Sequence, residues 1–417
     1  MASGTLDTRY FHWDDLQRRD PPEGLSREDW WVCLKLRRRS EYRQIPLCDK
    51  EGSPFQWAMP DPVPERLHEI DKQAAGTIQM PEAIVNPETR NSYLIRSLFE
   101  EGITSSLLEG AATTRQQGKE MLSTGREPRS TDERMILNNY RAMRRIGELR
   151  REPLTRELVL SIHREITADT LEDPATSGRL RRATDLPVFV SDDQERTFYV
   201  PPPPDSLEDR MACMCDFANG QSVGQSFIHP VLRSIMLHFW LAYDHPFVDG
   251  NGRTARALFY WSMLHHGYWL FEFVSISQVL LKAPTKYARA FLLTESDDND
   301  LTYFLLHHLD VITRSLDALN EYVQRKTKEI HHLEVQLKGL SHLNYRQRAL
   351  MADALRHPHR RYTIGSHQVC HDVVYATART DLLDLERRGL LRAIKVGRRR
   401  HYLPVNDLST LLQKMDQ

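Results

Sequence analysis

Twelve consecutive residues, His245 to Arg256, bring together side chains whose types and spacing suit phosphate chemistry. His245 is a base whose unperturbed pKa lies near neutrality, at about 6.5. Asp249 offers one carboxylate, which suits a Mg²⁺ ion that keeps several of its water ligands. Arg253 and Arg256 are three residues apart, so on a helix both guanidinium groups lie on one face. A short Gly-Asn-Gly turn alone is typical of a protein surface, whereas the whole string favours a site.

The backbone of the same stretch is suited to binding an anion. Glycine tolerates backbone angles that other residues avoid, and the amides of Gly250 and Gly252 can form a concave nest for an anion. Pro246 disfavours helix in the residue before it, which ends an apolar helix over Ile235–Tyr243. A second helix begins near Asn251 and directs the positive end of its dipole at the nest. A base, a metal carboxylate, two guanidinium groups and an anion nest together predict nucleotidyl or phosphoryl transfer.

These twelve residues match, without a departure, the H-P-F-x-[DE]-G-N-G-R-x-x-R signature of the Fic family. They form neither a Walker A loop nor the G-x-G-x-x-G turn of dinucleotide-binding folds. The chain resembles the Fic family over about residues 95–310, including Ser177-Gly178-Arg179 and, downstream, Tyr287 and Asp300-Leu301-Thr302. The resemblance implies a mainly α fold, a helical bundle with one β-hairpin flap. It also implies transfer of AMP from Mg-ATP to a Ser, Thr or Tyr hydroxyl of a target protein, with release of pyrophosphate.

The resemblance further implies a role for each matching residue. His245 would take the proton from the target hydroxyl, Asp249 would hold Mg²⁺ or Mn²⁺, and Phe247 would anchor the loop in the core. Arg253 would contact the β-phosphate and Arg256 the γ-phosphate. The flap near residues 186–200 would pair with a segment of the target protein by β-augmentation. The nucleotide-binding set implied by the family is Gly250, Asn251, Gly252, Arg253, Arg256 and Tyr287.

A second motif lies upstream, at Ser105-Ser106-Leu107-Leu108-Glu109-Gly110, and fits the family's inhibitory signature [ST]-x-x-x-E-[GN]. Ser105 and Glu109 are four apart on one helix face, and Gly110 leaves room for close approach. A Glu109 carboxylate paired with Arg256 would take the place of the γ-phosphate and block productive ATP binding. In some relatives the same glutamate helps a water remove AMP, so Glu109 could serve two activities.

Hydrophobic periodicity predicts mostly helices around these motifs. Residues 114–131 are polar and predict a loop, and the helix before them is expected to break near Gly102. Leu186–Val190 and Thr197–Val200 predict the two strands of a hairpin. From Leu316 to Leu337 the spacing predicts a long amphipathic helix that could contribute to a homodimer. Further helices are predicted over Asn91–Ala112, Thr131–Leu149, Arg156–Thr167, Ser206–Gly220, His229–Ala242, Asn251–Gly267, Ser277–Thr294 and Asp300–Asn320.

The C-terminal tail differs in charge from the rest of the chain. Residues 341–417 hold 14 Lys and Arg against 7 Asp and Glu, a net charge of +7, which leaves −8 for the remainder. The pattern predicts helices over Tyr345–Leu355, Ile364–His371 and Tyr375–Arg388, and then a ribbon of Leu390–Val396 and His401–Pro404. Such an order is typical of a winged helix-turn-helix domain.

This basic tail has two interpretations. Its basic side chains would contact DNA phosphates, although Asp381, Asp384 and Glu386 temper the charge of the third helix. Alternatively, the tail is a protein-interaction module with a solvated wing. The candidate nucleic-acid-binding residues are Arg387, Arg388, Lys395, Arg398, Arg399 and Arg400.

Composition limits the remaining classes of protein. A length of 417 residues suits two or three domains, and 56 Lys and Arg against 57 Asp and Glu exclude a bulk nucleic-acid coat or a polybasic membrane binder. No basic segment followed by an apolar one opens the chain, so we expect no secretory signal and no membrane association. Five scattered cysteines are typical of reduced thiols, which favours a cytoplasmic protein.

The sequence therefore predicts an N-terminal helical extension (1–90), a Fic catalytic core (91–320) with an inhibitory helix at about 100–112, a linker helix (321–342) and a winged helix-turn-helix (343–417). The favoured function is an auto-inhibited protein adenylyltransferase, with target proteins, or the chain itself, as substrate. Three alternatives remain: de-AMPylation by the same site, transfer of another group such as UMP or phosphate, and a DNA-binding regulator whose core senses a nucleotide.

Overall fold

The computed structural model describes residues 10–75, 87–186, 190–191, 197–221, 227–336, 342–357, 359–396 and 399–414. Helices dominate this part of the chain, and its named strands pair into separate two-stranded antiparallel hairpins. In the described residues, none of the helices combines the length and the apolar character needed to cross a bilayer. The helices are α1 (Trp13–Leu16), α2 (Arg27–Arg39), α3 (Pro62–Ala74), α4 (Pro87–Leu108), α5 (Arg115–Thr124), α6 (Thr131–Leu149), α7 (Arg156–Ile166), α8 (Leu207–Ala218), α9 (Pro230–Asp244), α10 (Asn251–His265), α11 (Ser277–Leu280), α12 (Pro284–Ser296), α13 (Thr302–Gln336), α14 (Tyr345–Arg356), α15 (Ile364–His371), α16 (Tyr375–Arg387) and α17 (Leu408–Lys414). The strands are β1 (Arg43–Cys48), β2 (Pro54–Trp57), β3 (Val190–Ser191), β4 (Thr197–Tyr199), β5 (Leu391–Val396) and β6 (Arg399–Pro404).

Two buried helices, α9 and α10, form the centre of the core. Both are apolar around most of their circumference, which is the pattern of a helix packed on all sides. Trp240 on α9 and Trp261 on α10 are almost fully buried. Helices α6, α7 and α13 pack around this pair. The residues that join α9 to α10 are the predicted catalytic loop, so two deeply buried helices position it.

The N-terminal residues are not purely helical, which corrects the prediction for residues 1–90. The β1–β2 hairpin inserts Ile45, Leu47, Phe55 and Trp57 into the same hydrophobic core as α9 and α10. Just before α13, the Gln56 N–H donates to the Asn299 carbonyl and the Leu301 N–H donates to the Gln56 carbonyl. These two hydrogen bonds complete the attachment of the hairpin. Pro46 and Pro54 obscured the strand pattern, because proline is rare inside strands.

The predicted loop at 114–131 contains helix α5. Thr114 caps this helix with a capping box that includes Gln117, and Gly125 ends it in the left-handed conformation at φ = +63°. Its Met121 and Leu122 are buried against α4 and α6. The prediction weighed the polarity of the segment and missed its caps.

Three other helix boundaries differ from the prediction. Helix α4 continues through Gly102, where the missing side chain lets α6 approach: a Cβ there would lie 3.1–3.2 Å from atoms of Tyr140. The helix predicted over Ser277–Thr294 is divided because Pro284 opens α12. The proposed boundary at residue 320 falls inside α13, a single helix that is buried in the core as far as Val323.

The flap forms the expected antiparallel hairpin, with Val190 opposite Tyr199 and Ser191 opposite Thr197. Its first strand begins later than predicted, and Leu186 is exposed outside it. Residues 187–189 and 192–196 of the predicted hairpin lie outside the described residues.

The tail has the element order expected of a winged helix-turn-helix. Helices α14, α15 and α16 precede the β5–β6 ribbon, and an isolated bridge between Tyr362 and Tyr402 adds a third short strand position. Leu350, Met351, Leu382 and Tyr402 belong to a hydrophobic cluster of the tail's own. Helix α17, which was not predicted, adds Leu412 to that cluster.

Candidate active site

The loop between α9 and α10 holds His245 in a conformation suited to a general base. His245 ends α9 in the left-handed region at φ = +47°, and its backbone N–H donates to Leu241. The Nδ1 atom lies 3.2 Å from the carbonyl oxygen of Ala242. A carbonyl only accepts, so Nδ1 carries the proton and Nε2 presents a lone pair. Burial lowers the pKa of His245, which keeps the imidazole neutral at neutral pH.

Two side chains inside the loop fix its shape. Phe247 is fully buried, as the resemblance implied. Asn251 folds back on it: its Oδ1 accepts from the Phe247 N–H and its Nδ2 donates to the Phe247 carbonyl, each over 2.9 Å. Asn251 was predicted to help cradle the phosphates, and its side chain is used to hold the loop. Any contact of Asn251 with an anion would come through its main chain.

The two glycines of the loop have different reasons to be glycine. Gly250 has φ = +82°, and a Cβ there would lie 2.7 Å from a Thr167 methyl group. Gly252 does not adopt a left-handed angle. A Cβ on Gly252 would lie 2.2 Å from a carboxylate oxygen of Glu109. The Glu109 carboxylate therefore occupies the space above Gly252, where the anion nest is predicted.

Two guanidinium groups form the inner wall of the nest. Arg253 and Arg256 are each about 1% exposed, although burial of a charged group is costly unless it is paired. Nε and Nη2 of Arg253 and Nη1 of Arg256 have no hydrogen-bond partner. The nearest anion to Arg253 is Asp249, with 3.5 Å between Nη2 and the carboxylate. These buried donors fit the oxygens of a phosphate chain.

The upstream motif meets Arg256 as the sequence predicted. Nη2 of Arg256 donates to Glu109 Oε1 at 2.8 Å and to the Ser105 carbonyl at 3.0 Å, and Nε donates to Ser105 Oγ at 2.8 Å. The Glu109 side chain remains 27% exposed, while Arg256 is 1% exposed. The carboxylate thus lies where the resemblance expects a phosphate.

Gly110 has a different function from the one predicted. No atom lies within 4 Å of the position its Cβ would take, so it does not serve close approach. Its φ of +86° lets the chain turn after α4 ends at Leu108. Glu109 therefore lies in the turn that directly follows α4, and from there its side chain contacts Arg256.

Asp249 is the candidate metal ligand. Its side chain is 59% exposed at the rim of the nest, and its Oδ1 accepts the Gly250 N–H. Among the described residues no group of three or more His, Cys, Asp or Glu side chains could hold a metal ion. One carboxylate beside an anion nest fits a Mg²⁺ ion whose other ligands are phosphate oxygens and waters.

His163 contacts the loop through Phe247 and Asp249, and it was not predicted from the sequence. Its ring stacks on Phe247 with 3.7 Å between centroids and 7° between planes. Nδ1 accepts the Gly178 N–H at 2.9 Å, so Nε2 carries the proton and donates to the Asp249 carbonyl at 2.8 Å. Burial lowers the pKa of His163 to about 4, which keeps this tautomer neutral. Nothing in its local sequence marked it, because its partners lie far along the chain.

Arg181 was also missed, and it joins the flap to the catalytic loop. Its Nε donates to the His245 carbonyl at 2.8 Å and its backbone N–H donates to the Pro246 carbonyl at 2.9 Å. Its Nη2 donates to the Pro202 carbonyl, just after β4. The flap and the proposed base are thus held by one buried guanidinium.

Tyr287, on α12, lies near Arg256. Burial raises the pKa of Tyr287 to about 12, and the nearby Arg256 charge opposes that rise. Its hydroxyl is 2.9 Å from Nε2 of His238. The structure thus places Tyr287 near Arg256, with its hydroxyl hydrogen-bonded to His238 in the core.

The candidate nucleic-acid-binding residues are partly neutralised within the tail. Arg388 pairs with Asp384 at 2.8 Å and Arg400 pairs with Glu386 at 2.7 Å. Arg387 is 79% exposed and lies 3.8 Å from Asp384. Lys395 is exposed on the wing. Arg398 and the side chain of Arg399 lie outside the described residues.

The chain is similar to proteins of one family. Residues 153–263 match the model of the Fic/DOC family. The chain is 26% identical over 262 residues to a protein adenylyltransferase Fic of Nematostella vectensis, covering 62% of this chain and 55% of the relative. It is 30% identical over 212 residues to the protein of the same name from Drosophila willistoni, covering 49% of this chain and 39% of the relative. The chain therefore spans about half the length of the curated relatives it matches, or less.

A solved structure shows the same fold. It is a Fic family protein from Desulfovibrio desulfuricans G20, with a TM-score of 0.53 and 17% sequence identity. The match covers 87% of this chain and 99% of that one. A likeness at this level of identity concerns the fold alone.

Proposed function

Because this chain carries a Fic-family domain at residues 153–263, we propose that it is a protein adenylyltransferase held in an auto-inhibited state. It would transfer AMP from Mg-ATP to a hydroxyl of a target protein and release pyrophosphate. One observation carries the proposal: the Glu109 carboxylate fills an anion nest built from Gly252 and two buried arginines that retain unpaired donors. An anion nest of this kind, beside a neutral histidine with a free Nε2, fits nucleotidyl transfer.

In the proposed reaction, His245 accepts the proton of the target hydroxyl through Nε2 as that oxygen attacks the α-phosphorus. The bond between the α-phosphorus and the bridging oxygen breaks, and the electron pair leaves with pyrophosphate. Buried guanidinium groups stabilise the charge that develops there, since their interaction is strong in a site that excludes water. Asp249 would hold a magnesium ion that neutralises phosphate charge when ATP is bound. His163 and Arg181 keep the loop and the flap in register.

Auto-inhibition follows from the same contacts. Arg256 has one charged partner within hydrogen-bond distance, Glu109, and two further contacts with Ser105. A γ-phosphate would have to displace the carboxylate to reach Arg256, and both anions cannot occupy the space above Gly252. Removal of Glu109 should therefore open the nest and leave the backbone contacts that position His245 in place.

The proposal is tested with Glu109→Gly and α-labelled ATP. We expect this variant to label itself or proteins of a lysate, and the wild type to label them much more weakly. The double variant Glu109→Gly with His245→Ala is the matched control, and it should not label. No label from ATP, but label from UTP or γ-labelled ATP, would replace adenylylation with another transfer by the same site.

The reverse reaction needs its own measurement, because a glutamate near the nest could also activate water. Protein labelled by Glu109→Gly is purified and mixed with wild-type enzyme and Mg²⁺. Release of AMP by the wild type, and none by Glu109→Gly, would show that Glu109 serves removal of AMP. Mass spectrometry of the labelled proteins identifies the target and the modified side chain.

A further inference from the structure

Arg256 is hydrogen-bonded to the segment that fills the nest. Its Nε and Nη2 donate to the side chain and the carbonyl of Ser105, and Nη2 also donates to the Glu109 carboxylate. Ser105 lies in the last turn of α4, and Glu109 directly follows that helix. A phosphate that takes the place of Glu109 therefore meets an arginine that has lost its charged partner. Another part of the molecule must then keep this guanidinium in position.

Tyr287 approaches Arg256 from α12, in the catalytic core. Burial raises the pKa of Tyr287, and the two side chains are close enough for the Arg256 charge to oppose that rise. A guanidinium group only donates hydrogen bonds, so the Tyr287 oxygen faces it as an acceptor. The hydroxyl proton is then directed away from the positive charge. Tyr287 can therefore orient Arg256 without help from α4.

His238 receives the proton that Tyr287 directs away from Arg256. Its Nε2 lies 2.9 Å from the Tyr287 hydroxyl. Burial, and to a smaller degree the Arg256 charge, hold the pKa of His238 well below its ordinary value, so the neutral ring can accept through Nε2. In the described part of the chain, Nδ1 of His238 has no hydrogen-bond partner. Its contact with Tyr287 is thus the polar contact that this histidine makes there.

The His238 ring is fixed in place by the core. It is fully buried on α9, and aromatic rings of α10 and α13 surround it. The ring centroids of Phe259, Phe304 and His308 lie 6.3, 5.7 and 4.9 Å from its own. Because none of these three helices carries the inhibitory motif, a support built on them keeps its place when Glu109 moves.

We propose that His238 and Tyr287 are positioning residues for Arg256, which hold its guanidinium toward the nucleotide once Glu109 has left the nest. This inference rests on the proposed adenylyltransferase and deepens it, since it assigns the support of one phosphate-binding side chain. A donor that is already oriented loses little binding energy to ordering when a phosphate arrives. In the inhibited chain Ser105 and Glu109 hold Arg256 as well, so the support matters most in the open site.

The main experiment measures Mg-ATP and Mg-ADP binding by calorimetry in the Glu109→Gly chain, whose nest is open. Adding Tyr287→Phe or His238→Phe should raise the Kd for ATP roughly fivefold, as expected for one weakened hydrogen-bonded contact. The Kd for ADP should change less than about twofold, because the family assigns the γ-phosphate to Arg256 and the β-phosphate to Arg253.

A conservative variant separates positioning from packing in the same measurement. His238→Gln keeps a hydrogen-bonding atom near the place of Nε2, so it should restore most of the ATP affinity that His238→Phe loses. An ATP affinity that Tyr287→Phe leaves unchanged overturns the proposal. Equal losses for ATP and ADP overturn it too, since they would not arise at Arg256.

Thermal unfolding tests whether the support takes over from Glu109. Tyr287→Phe should lower the Tm by about 2 °C more in the Glu109→Gly chain than in the wild type, because groups that share Arg256 are coupled. Tyr268→Phe is the matched control: its hydroxyl donates to Asp71 at 2.6 Å, past the end of α10. This control should lower the Tm equally in both chains and leave ATP binding unchanged. Equal losses from Tyr287→Phe in the two chains would overturn the takeover.

Labelling rates separate failure of this inference from failure of the proposed function. In the Glu109→Gly chain, Tyr287→Phe and His238→Phe should raise the KM for ATP roughly fivefold and change kcat less, as for a lost contact with a phosphate that is not transferred. A lower kcat with an unchanged KM would contradict this. If Glu109→Gly labels nothing, the adenylyltransferase activity is refuted. The calorimetric and thermal comparisons still decide the role of His238 and Tyr287, because neither needs transfer.

Discussion

At the residue scale, the protonation of His245 sets the expected pH dependence. Burial lowers the pKa of His245 below its ordinary value of 6.5, against smaller opposing effects of the Ala242 carbonyl and the Glu109 and Asp249 carboxylates. A general base works only when deprotonated, so labelling should be constant at neutral pH and fall as the pH drops through that pKa. Initial rates of Glu109→Gly between about pH 5 and 9 measure this. A rate that still rises above pH 8 would contradict His245 as the base.

The residues of the sequence motif could be predicted at this scale. The residues that hold the loop in place from elsewhere in the chain could not. His245, Asp249, Arg253 and Arg256 lie within one turn and one helix start, so their chemistry follows from adjacent sequence. His163 reaches the same loop only because α7 packs beside α10, and its two hydrogen bonds are to backbone atoms. Backbone partners leave no residue type to recognise. The same holds for Arg181, whose acceptors are all carbonyl groups.

At the element scale, a buried carboxylate holds α4, the helix that carries Ser105, against the core. Glu101 is 1% exposed and accepts from the Tyr260 hydroxyl, the Ser275 hydroxyl, and both the N–H and the hydroxyl of Ser277. Its donors come from α10 and from the segment at the start of α11. This cluster joins α4 to the core.

We expect Glu101→Gln to loosen α4. The amide would keep one acceptor oxygen and turn its N–H₂ group toward the Ser277 hydroxyl, and the lost charge weakens the remaining hydrogen bonds, at a cost of about 1–3 kcal/mol in the free energy of unfolding. Thermal unfolding should show the loss. Self-labelling by Glu101→Gln should exceed that of the wild type, because Glu109 is less firmly placed. Glu100→Gln is the control: Glu100 is also buried on α4, but its carboxylate pairs with the half-exposed Arg115 of α5, so its loss should not release α4 from α10. If Glu101→Gln is as stable as the wild type and labels no faster, Glu101 does not hold α4 in place.

Long helices with clear periods were predicted well, and short or polar elements were not. Thr131–Leu149 matched the predicted helix, because its apolar face and its Ser130 cap are both local signals. Helix α5 was missed since most of its residues are polar and its two buried apolar side chains are adjacent. The β1–β2 hairpin was missed because its core contacts are made with residues about 200 positions away, as between Phe55 and Phe239. Local patterns do not contain such partners.

At the scale of the whole molecule, charge and packing divide the chain differently. The sequence separates an acidic enzyme from a basic tail, and the tail does have its own hydrophobic cluster. The N-terminal residues, by contrast, share the catalytic core through Phe55 and Trp57. Charge is additive along the sequence and can be counted. Whether two segments share a core depends on contacts between distant residues, and these appear only in the folded chain.

The proposed auto-inhibition predicts that ATP stabilises Glu109→Gly more than the wild type. A ligand that binds only the folded state raises the free energy of unfolding by about 2.7 kcal/mol at a concentration of 100 Kd. In the wild type the nucleotide must first displace Glu109 from Arg256, so less of its binding energy remains. The rise in Tm with Mg-ATP should therefore be larger for Glu109→Gly than for the wild type, and small when Arg256→Ala is added. Equal shifts in the wild type and in Glu109→Gly would mean that the carboxylate does not compete with the nucleotide, since competition must appear as a difference in binding free energy.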